Sequence, residues 1–202
     1  STQSRSSAAS DVYKRQDDEV ICGFGRTGRW FGIQHFQIQP DLMSMAKGIS
    51  SGYVPLGAVG CTEHVMEPIQ VLNHLHTYGN HPVACAAALK NLEIMEREQL
   101  VEKAAQTGAY FLDRLKELED HALVGEARGI GLWLALDLTA DKRTREPLSL
   151  ERLGRLVSKG REQGLIIRSM GHALEFAPAL SITKEEIDQG VGILKKLLDD
   201  EV

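Results

Sequence analysis

The chain has 202 residues, enough for one large domain or two small ones, and hydrophobic residues make up 43% of it. Its net charge of −5 at pH 7 leaves no basic excess for nucleic-acid phosphates, and no apolar run reaches the roughly 18 residues of a membrane span. Three scattered cysteines provide no disulfide framework. We therefore expect a cytoplasmic protein that has neither a nucleic-acid nor a membrane partner.

Residues 1–16 differ in composition from the rest of the chain. Five of them are serine, and Tyr13 is their only aromatic residue. Such a segment buries too little apolar surface to offset the entropy lost on ordering. We therefore predict a disordered or foreign tail and expect the fold to begin at Asp17.

The first half of the remaining chain contains two short apolar runs and a long helical pattern. Leu42–Ala46 and Leu56–Cys61 flank a turn rich in glycine and serine, which is typical of short buried strands around a functional loop. Helix formers and apolar residues at helical spacing predict helices over Pro82–Arg97 and Leu100–Leu118.

Strands and helices also alternate in the second half of the chain. The expected elements are a strand at Gly131–Leu138, a helix at Ser149–Gln163, a strand pair at Leu165–Arg168 and Ala173–Phe176, and a final helix that Thr183 and Glu186 open as a capping box. This alternation predicts the α/β class, with a boundary near residue 100 between residues 17–100 and 101–202.

Gly23–Gly28 matches the G-x-G-x-x-G fingerprint of dinucleotide-binding loops. That fingerprint requires a helix to open at its last glycines, whereas residues 29–40 have no helical periodicity and end in proline. We therefore do not expect nucleotide binding here, and we interpret the glycines as necessary for a tight backbone path.

A cluster of histidines precedes the helix that is predicted from Pro82. The possible zinc ligands are His74, His76, His81 and Cys85. Their spacing fits no common structural zinc pattern, so we predict no metal site. The helix N-terminus is a natural anion site, and the hydroxyl of Thr77 just before it could help to hold a phosphate.

Lys47 ends the apolar run that begins at Leu42, and two readings of it are open. It could extend its amine from a strand end into solvent, or it could lie in a desolvated pocket as a nucleophile that forms a Schiff base. Asp18 and Glu19 precede it by 29 and 28 residues. A carboxylate buried near a strand end would need a cationic partner to offset its desolvation.

These residues lie in segments that resemble the class III pyridoxal-phosphate aminotransferases, and especially the amine:pyruvate (omega) transaminases. The matching segments are Asp18–Val59, His74–Leu89, Ala127–Leu138 and Gly164–Asp188. The resemblance implies the α/β architecture of fold type I, with residues 17–100 in the second half of the cofactor-binding large domain and residues 101–202 as the small C-terminal domain. Family members are about twice as long, so we expect a C-terminal fragment.

The resemblance also implies a role for each of five residues. Lys47 would form the Schiff base with pyridoxal 5'-phosphate and then move the substrate proton, while Asp18 would pair with the pyridinium nitrogen. Val20 would pack on the cofactor ring, and Thr77 would reach the cofactor phosphate of the partner subunit in a homodimer with shared active sites. Arg168 would bind the carboxylate of the substrate.

Three positions depart from the family pattern. Asp17 stands where an apolar residue is usual, Leu75 stands where glycine is common, and residues 177–180 replace a double proline. None of these positions supplies a group that takes part in the implied reaction, although Leu75 belongs to the loop that carries Thr77.

The implied reaction moves an amino group from an amine or an omega-amino acid to pyruvate. The alternatives are a 4-aminobutyrate, ornithine or diamine transaminase that uses 2-oxoglutarate, and an aminomutase. A non-catalytic dimerising module is an alternative of another class. Because the family's phosphate-binding loop and stacking aromatic residue precede the segments matched here, we expect the 202-residue chain alone to be inactive.

Overall fold

The computed structural model describes residues 14–71 and 76–201, so most of the predicted tail lies outside the described residues. The chain divides after Gln99 into two compact units. Within the described ranges, no helix is long and apolar enough to cross a bilayer.

A three-stranded sheet forms the centre of the first unit. Its strands are β1 (Gln16–Asp18), β2 (Leu42–Met45) and β3 (Ala58–Cys61), in the order β1-β2-β3. β1 runs parallel to β2, and β2 runs antiparallel to β3. The apolar runs that predicted β2 and β3 are therefore strands, although β3 begins two residues later than predicted.

The fold begins earlier than the composition predicted. Gln16 pairs with Leu42 in the parallel ladder, and the carbonyl of Arg15 accepts from the amides of Asp41 and Leu42. The amide of Arg15 also donates to Asp41 Oδ2 at 2.7 Å. Assigning residues 15 and 16 to the tail was therefore wrong, because backbone pairing requires no apolar side chain and leaves no trace in the composition.

Helices and two 3-10 turns complete the first unit. The helices are α1 (Glu63–Met66) and α2 (Pro82–Arg97), and the 3-10 turns are Gly32–His35 and Lys47–Ile49. α2 has its predicted bounds and carries its proline in the first turn, where the missing N–H costs nothing.

The second unit is an antiparallel sheet packed against three helices. Its elements are α3 (Leu100–Lys116), β4 (Val124–Ile130), β5 (Trp133–Asp141), β6 (Glu146–Pro147), α4 (Leu150–Glu162), β7 (Arg168–Met170), β8 (Ala173–Phe176) and α5 (Lys184–Asp199). The strand order is β4-β5-β8-β7, and β6 pairs with the far end of β5.

The period-2 alternation of β5 separates the two faces of this sheet. Leu134, Leu136 and Leu138 are buried in the core with the apolar stripes of the helices, whereas Trp133 and Ala135 on the other face are only half-buried. Burial of the leucine face is the main stabilising contribution of the sheet.

Three strand predictions need correction. The strand predicted from Gly131 begins at Trp133, because Gly131, at φ +56°, and Leu132 form the two-residue turn of the β4–β5 hairpin. The strand predicted at Leu165–Arg168 is Arg168–Met170, because the amide of Leu165 bonds to Gly160 and closes the end of α4. β4 was not predicted as a strand, because a bulge near its start disrupts the alternation of apolar residues.

Side chains cap the N-termini of α4 and α5, and the cap of α5 is the one that the sequence predicted. Ser149 Oγ accepts from the amide of Arg152 at 3.4 Å at the start of α4. Thr183 and Glu186 form the reciprocal capping box of α5, with bonds of 3.2 and 2.8 Å. These side chains satisfy amides that the first helical turn leaves without partners.

Two helical glycines in the second unit have opposite surroundings. A Cβ on Gly108 of α3 would lie 2.1 Å from the carbonyl oxygen of Gly131, whereas nothing lies within 4 Å of a Cβ on Gly154 of α4. We expect Gly108→Ala to destabilise the chain by about 1–3 kcal/mol, because the hairpin backbone must move. Gly154→Ala should stabilise it by up to about 1 kcal/mol through helix propensity.

Urea unfolding of the two variants beside the parent chain measures this difference. Since both substitutions add one methyl group to a helix, they control for each other. Equal unfolding midpoints for the two variants would show that the approach of α3 to the β4–β5 turn is not close.

Candidate active site

Asp18 and Lys47 lie at the same edge of the first sheet. Asp18 is the last residue of β1 and pairs with Ser44 of the parallel strand β2. Lys47 lies two residues after the end of β2. It is three residues from Ser44, the partner of Asp18, so the extended chain places its Cα at most about 11 Å from that of Ser44. The carboxyl ends of parallel strands form the edge where open α/β sheets bind ligands.

One carboxylate oxygen of Asp18 is held within the protein. Its Oδ1 accepts from the amide of Val20 at 3.1 Å and from Ser44 Oγ at 3.3 Å. Oδ2 accepts no hydrogen bond from residues 14–71 or 76–201. The carboxylate is therefore oriented through one oxygen, and the other remains available as an acceptor.

Lys47 has an unusual backbone conformation, and hydrogen bonds from α2 stabilise it. Its φ is +44°, which a non-glycine residue adopts at an energetic cost, and its side chain is exposed. Asn91 of α2 donates through Nδ2 to the carbonyls of Gly48 and Ile49, at 2.9 and 3.2 Å. These bonds fix the turn that presents the amine.

The glycine-rich loop supports the same turn. A Cβ on Gly48 would lie 2.9 Å from Phe24 Cβ, so the loop and the lysine turn are in direct contact. Phe24 has φ +60°, and its amide donates to the carbonyl of Trp30 at 2.7 Å. No helix opens at Gly28, so the glycines serve a tight backbone path, as predicted.

Glu19, rather than Asp18, is the buried carboxylate of the pair. Its side chain is 1% exposed and accepts from the amides of Gly32 and Ile33 at 2.9 and 2.7 Å. These amides open a 3-10 turn and are free to donate to an anion. Two backbone amides therefore take the place of the cationic partner that we expected.

The carboxyl of Asp17 lies on the same side of the chain as Glu19, two residues before it. Burial, together with the neighbouring carboxyl of Glu19, raises the pKa of Asp17 to about 6. The folded state therefore favours protonated Asp17, and this contribution to stability is complete below pH 3.8 and is lost as the pH rises through 6.

We expect Asp17→Asn to remove this pH dependence, since an amide does not titrate. The free energy of unfolding of the parent chain should fall relative to that of the variant between pH 4 and pH 6 and then stay constant. Urea unfolding at intervals from pH 4 to pH 8 measures the difference. A difference that does not change with pH would show that Asp17 titrates normally.

Thr77 lies in an exposed turn, four residues before His81, which occupies the N-cap position of α2. Its neighbour Gly79 donates from its amide to the carbonyl of His76 at 2.9 Å. Two residues discussed with the sequence, His74 and Leu75, lie outside the described residues. In the described part of the chain, no three metal-ligating side chains cluster.

Arg168 begins β7 of the second unit and points along the sheet to Glu175 of β8. Both its Nε and its Nη2 contact Glu175 Oε2. The guanidinium side chain is 63% exposed, whereas that of Glu175 is 10% exposed. The arginine implied by the resemblance is thus held by a carboxylate of its own chain.

Three contacts made by or near the candidate residues within the two units were not predicted from the sequence. Ser44 orients Asp18, Asn91 holds the lysine turn, and Glu175 holds Arg168. The strand pair predicted at Leu165–Arg168 and Ala173–Phe176 was a signal for the contact of Glu175, whereas the other two contacts join elements whose packing the sequence does not reveal.

The comparisons with known proteins agree on one family. The family described as aminotransferase class-III matches residues 17–198. A putrescine–pyruvate aminotransferase of Pseudomonas aeruginosa is 45% identical over 190 residues, which are 90% of this chain and 41% of that protein. A diaminobutyrate–2-oxoglutarate transaminase of Halomonas elongata is 43% identical over 85% of this chain and 39% of its own length.

A solved structure has the same fold. An (S)-enantioselective omega-transaminase from Thermomicrobium roseum superposes with a TM-score of 0.91 at 42% identity, over 97% of this chain and 46% of that one. The chain therefore spans about two fifths of the length of the curated relatives that it matches.

Proposed function

Because the chain belongs to the class III aminotransferases, we propose that it supplies the lysine-bearing part of a pyridoxal-phosphate site that transfers an amino group from an amine or omega-amino acid to pyruvate. One observation carries the proposal. Asp18 ends β1, and Lys47 follows the end of the neighbouring parallel strand β2 by two residues, at the same edge of the sheet. A carboxylate and an amine at that edge are the two groups that a pyridine ring with an aldehyde requires.

The residues present fit the cofactor. The open Oδ2 of Asp18 is an acceptor for a ring N–H, and the exposed amine of Lys47 is accessible to an aldehyde. When bound, the cofactor supplies an electron sink that stabilises negative charge on the substrate carbon. The half-buried side chain of Val20 follows Asp18 directly and is available to pack on the ring face.

Each group then has a distinct role in the proposed site. Asp18 holds a proton at the ring nitrogen, because its negative charge favours the protonated ring. Lys47 Nζ would hold the aldehyde of the cofactor, and as a free amine it would take the proton from the substrate carbon that bears the amino group. Thr77 donates its hydroxyl to the cofactor phosphate of a partner subunit, so the proposed assembly is a homodimer.

Arg168 is proposed to bind the substrate carboxylate. Its planar guanidinium matches two carboxylate oxygens, and its exposure allows it to move. Pyruvate is the proposed acceptor because the chain is similar to a relative whose name specifies that 2-oxo acid.

A second acceptor, 2-oxoglutarate, is favoured by a different observation. The similar diaminobutyrate transaminase is named for that acceptor. The two candidates differ by one carboxylate, which a second cationic group in the site would have to bind.

An acceptor assay on the full-length product of the gene that contains this sequence tests the proposal. With one amine donor in excess, we expect kcat/KM to be at least about tenfold higher for pyruvate than for 2-oxoglutarate, a difference of about 1.4 kcal/mol in transition-state binding. The opposite order would favour the second candidate. The absence of turnover with both acceptors would leave the non-catalytic module as the better hypothesis.

A further inference from the structure

Arg168 and Glu175 face each other across a pair of antiparallel strands. They occupy directly opposed positions in the register of β7 and β8, so their side chains lie on the same face of the sheet. The two guanidinium nitrogens that contact the carboxylate both contact the same oxygen, Oε2. The ion pair therefore uses Oε2, and Oε1 is the second carboxylate oxygen of Glu175.

That second oxygen is held by Trp133 of β5. The indole Nε1 donates to Glu175 Oε1 at 2.7 Å, from a position diagonal to Glu175 on the neighbouring strand. Ala135, directly opposite Glu175, is small enough to leave the approach open. Glu175 is thus anchored by the sheet, with a side chain only 10% exposed.

The two members of the ion pair differ in their freedom to move. Trp133 and the neighbouring strands hold Glu175, whereas the Arg168 side chain is 63% exposed and belongs to β7, the last strand in the order of the sheet. When the pair separates, the guanidinium moves and the carboxylate stays. The geometry is that of a fixed carboxylate and a mobile cation.

We propose that Glu175 is the resident carboxylate that a substrate carboxylate must displace from Arg168, so that Glu175 sets the affinity for acidic substrates. This inference rests on the proposed function, in which Arg168 binds the substrate carboxylate. With an amine that lacks a carboxylate, Arg168 stays on Glu175 and its charge stays compensated. With pyruvate, Arg168 exchanges one carboxylate for another.

The exchange lowers the apparent affinity for every carboxylate substrate, because part of its binding free energy is used to break the resident pair. Ion pairs with one exposed partner contribute up to about a fivefold change in an equilibrium constant. Removal of the charge of Glu175 should therefore tighten the binding of carboxylates selectively, by a factor of this order.

Glu175→Gln in the full-length enzyme tests the proposal. Glutamine keeps the shape and still accepts from Trp133 Nε1, but it cannot form the ion pair. We expect the KM for pyruvate and the inhibition constant of propionate to fall about two- to fivefold. The KM for butylamine, which has no carboxylate, should not fall.

Trp133→Phe supplies a second variant, since it retains an aromatic ring but removes the donor that anchors Glu175. We expect a smaller decrease in the KM for pyruvate, because a less anchored carboxylate competes less well for Arg168. Asp137→Asn is the matched control. It removes a similar ion pair, with Arg128, between β4 and β5 and should leave the KM values for both substrates unchanged.

The outcomes separate this inference from the function on which it rests. An unchanged pyruvate KM in both Glu175→Gln and Trp133→Phe, or equal changes for pyruvate and butylamine, would overturn the role of Glu175. The same selective change in Asp137→Asn would also overturn it, because the effect would then come from the overall charge of the sheet and not from the pair of Arg168 with Glu175. A wild-type enzyme with no turnover on any 2-oxo acid would instead overturn the proposed function.

Discussion

Replacement of Lys47 by alanine should lower the kcat of the full-length enzyme by at least about 10²- to 10⁴-fold, the range that a positioned proton-transfer group contributes. In our account the same amine attaches the cofactor and moves the proton, so alanine removes both functions. Lys47 is exposed, and its turn is held by Asn91 Nδ2, which donates to backbone carbonyls that alanine leaves in place, so the loss should not come from unfolding. Single-turnover kinetics with a saturating amine donor measure the chemical step directly.

Lys90→Ala is the matched control for this substitution. Lys90 is an exposed lysine of α2 in the same unit, and it forms an ion pair with the carboxylate of Glu93 at 2.7 Å. Its removal should leave kcat within about twofold, because surface ion pairs contribute little. A Lys47→Ala enzyme that retains the turnover of the Lys90→Ala enzyme would show that another amine performs the chemistry.

Replacement of Asp18 by asparagine should lower kcat on the order of 10²- to 10³-fold, the usual effect of removing one preorganised electrostatic group. Asparagine can keep the bonds from Val20 and Ser44 at Oδ1, but it places an uncharged amide where the second carboxylate oxygen lies. The ring nitrogen then has no negative partner, and its protonated form is no longer favoured. The effect should appear in kcat more than in the KM of the amine.

The control for Asp18 lies at the opposite end of β2. Asp41 precedes the strand and accepts from the amide of Arg15 at 2.7 Å, a bond that asparagine can also accept. Asp41→Asn should therefore leave kcat unchanged. Equal losses in the Asp18 and Asp41 variants would indicate damage to the sheet rather than loss of a charge at the site.

The part of the site that lies on contiguous chain was predictable from the sequence. Lys47 follows the apolar run that begins at Leu42, so its position after a strand was predictable. The role of Asp18 was implied by the resemblance, and its polar surroundings predicted no strand, although β1 and β2 end at one edge of the sheet. The helix bounds at Pro82 and Ser149 were predictable for a similar reason, since proline and serine act on the backbone within one turn. Local chemistry decides these features.

The contacts that support the site could not be predicted, because they depend on packing between distant segments. Asn91 bonds to Gly48 across 43 residues, and no local pattern selects that asparagine from other polar residues on α2. Glu19 pairs with amides 13 and 14 residues later, through a loop without regular periodicity. Long-range partners of this kind are specified by the whole fold.

Strand register likewise limited how much of the second unit could be predicted from the sequence. Trp133 reaches Glu175 only because β5 begins after the Gly131–Leu132 turn, two residues later than the apolar run predicts. A shift of one residue would place the indole on the opposite face of the sheet. The anchor of Glu175 is therefore a consequence of a hairpin turn that the sequence only partly revealed.

In the proposed site, one particular amine of this chain captures the cofactor aldehyde. The most direct measurement is to load the full-length enzyme with pyridoxal 5'-phosphate, reduce it with borohydride, digest it and locate the modified lysine by mass spectrometry. We expect a single modified peptide, labelled at Lys47. A label on any other lysine, with Lys47 unmodified, would contradict it.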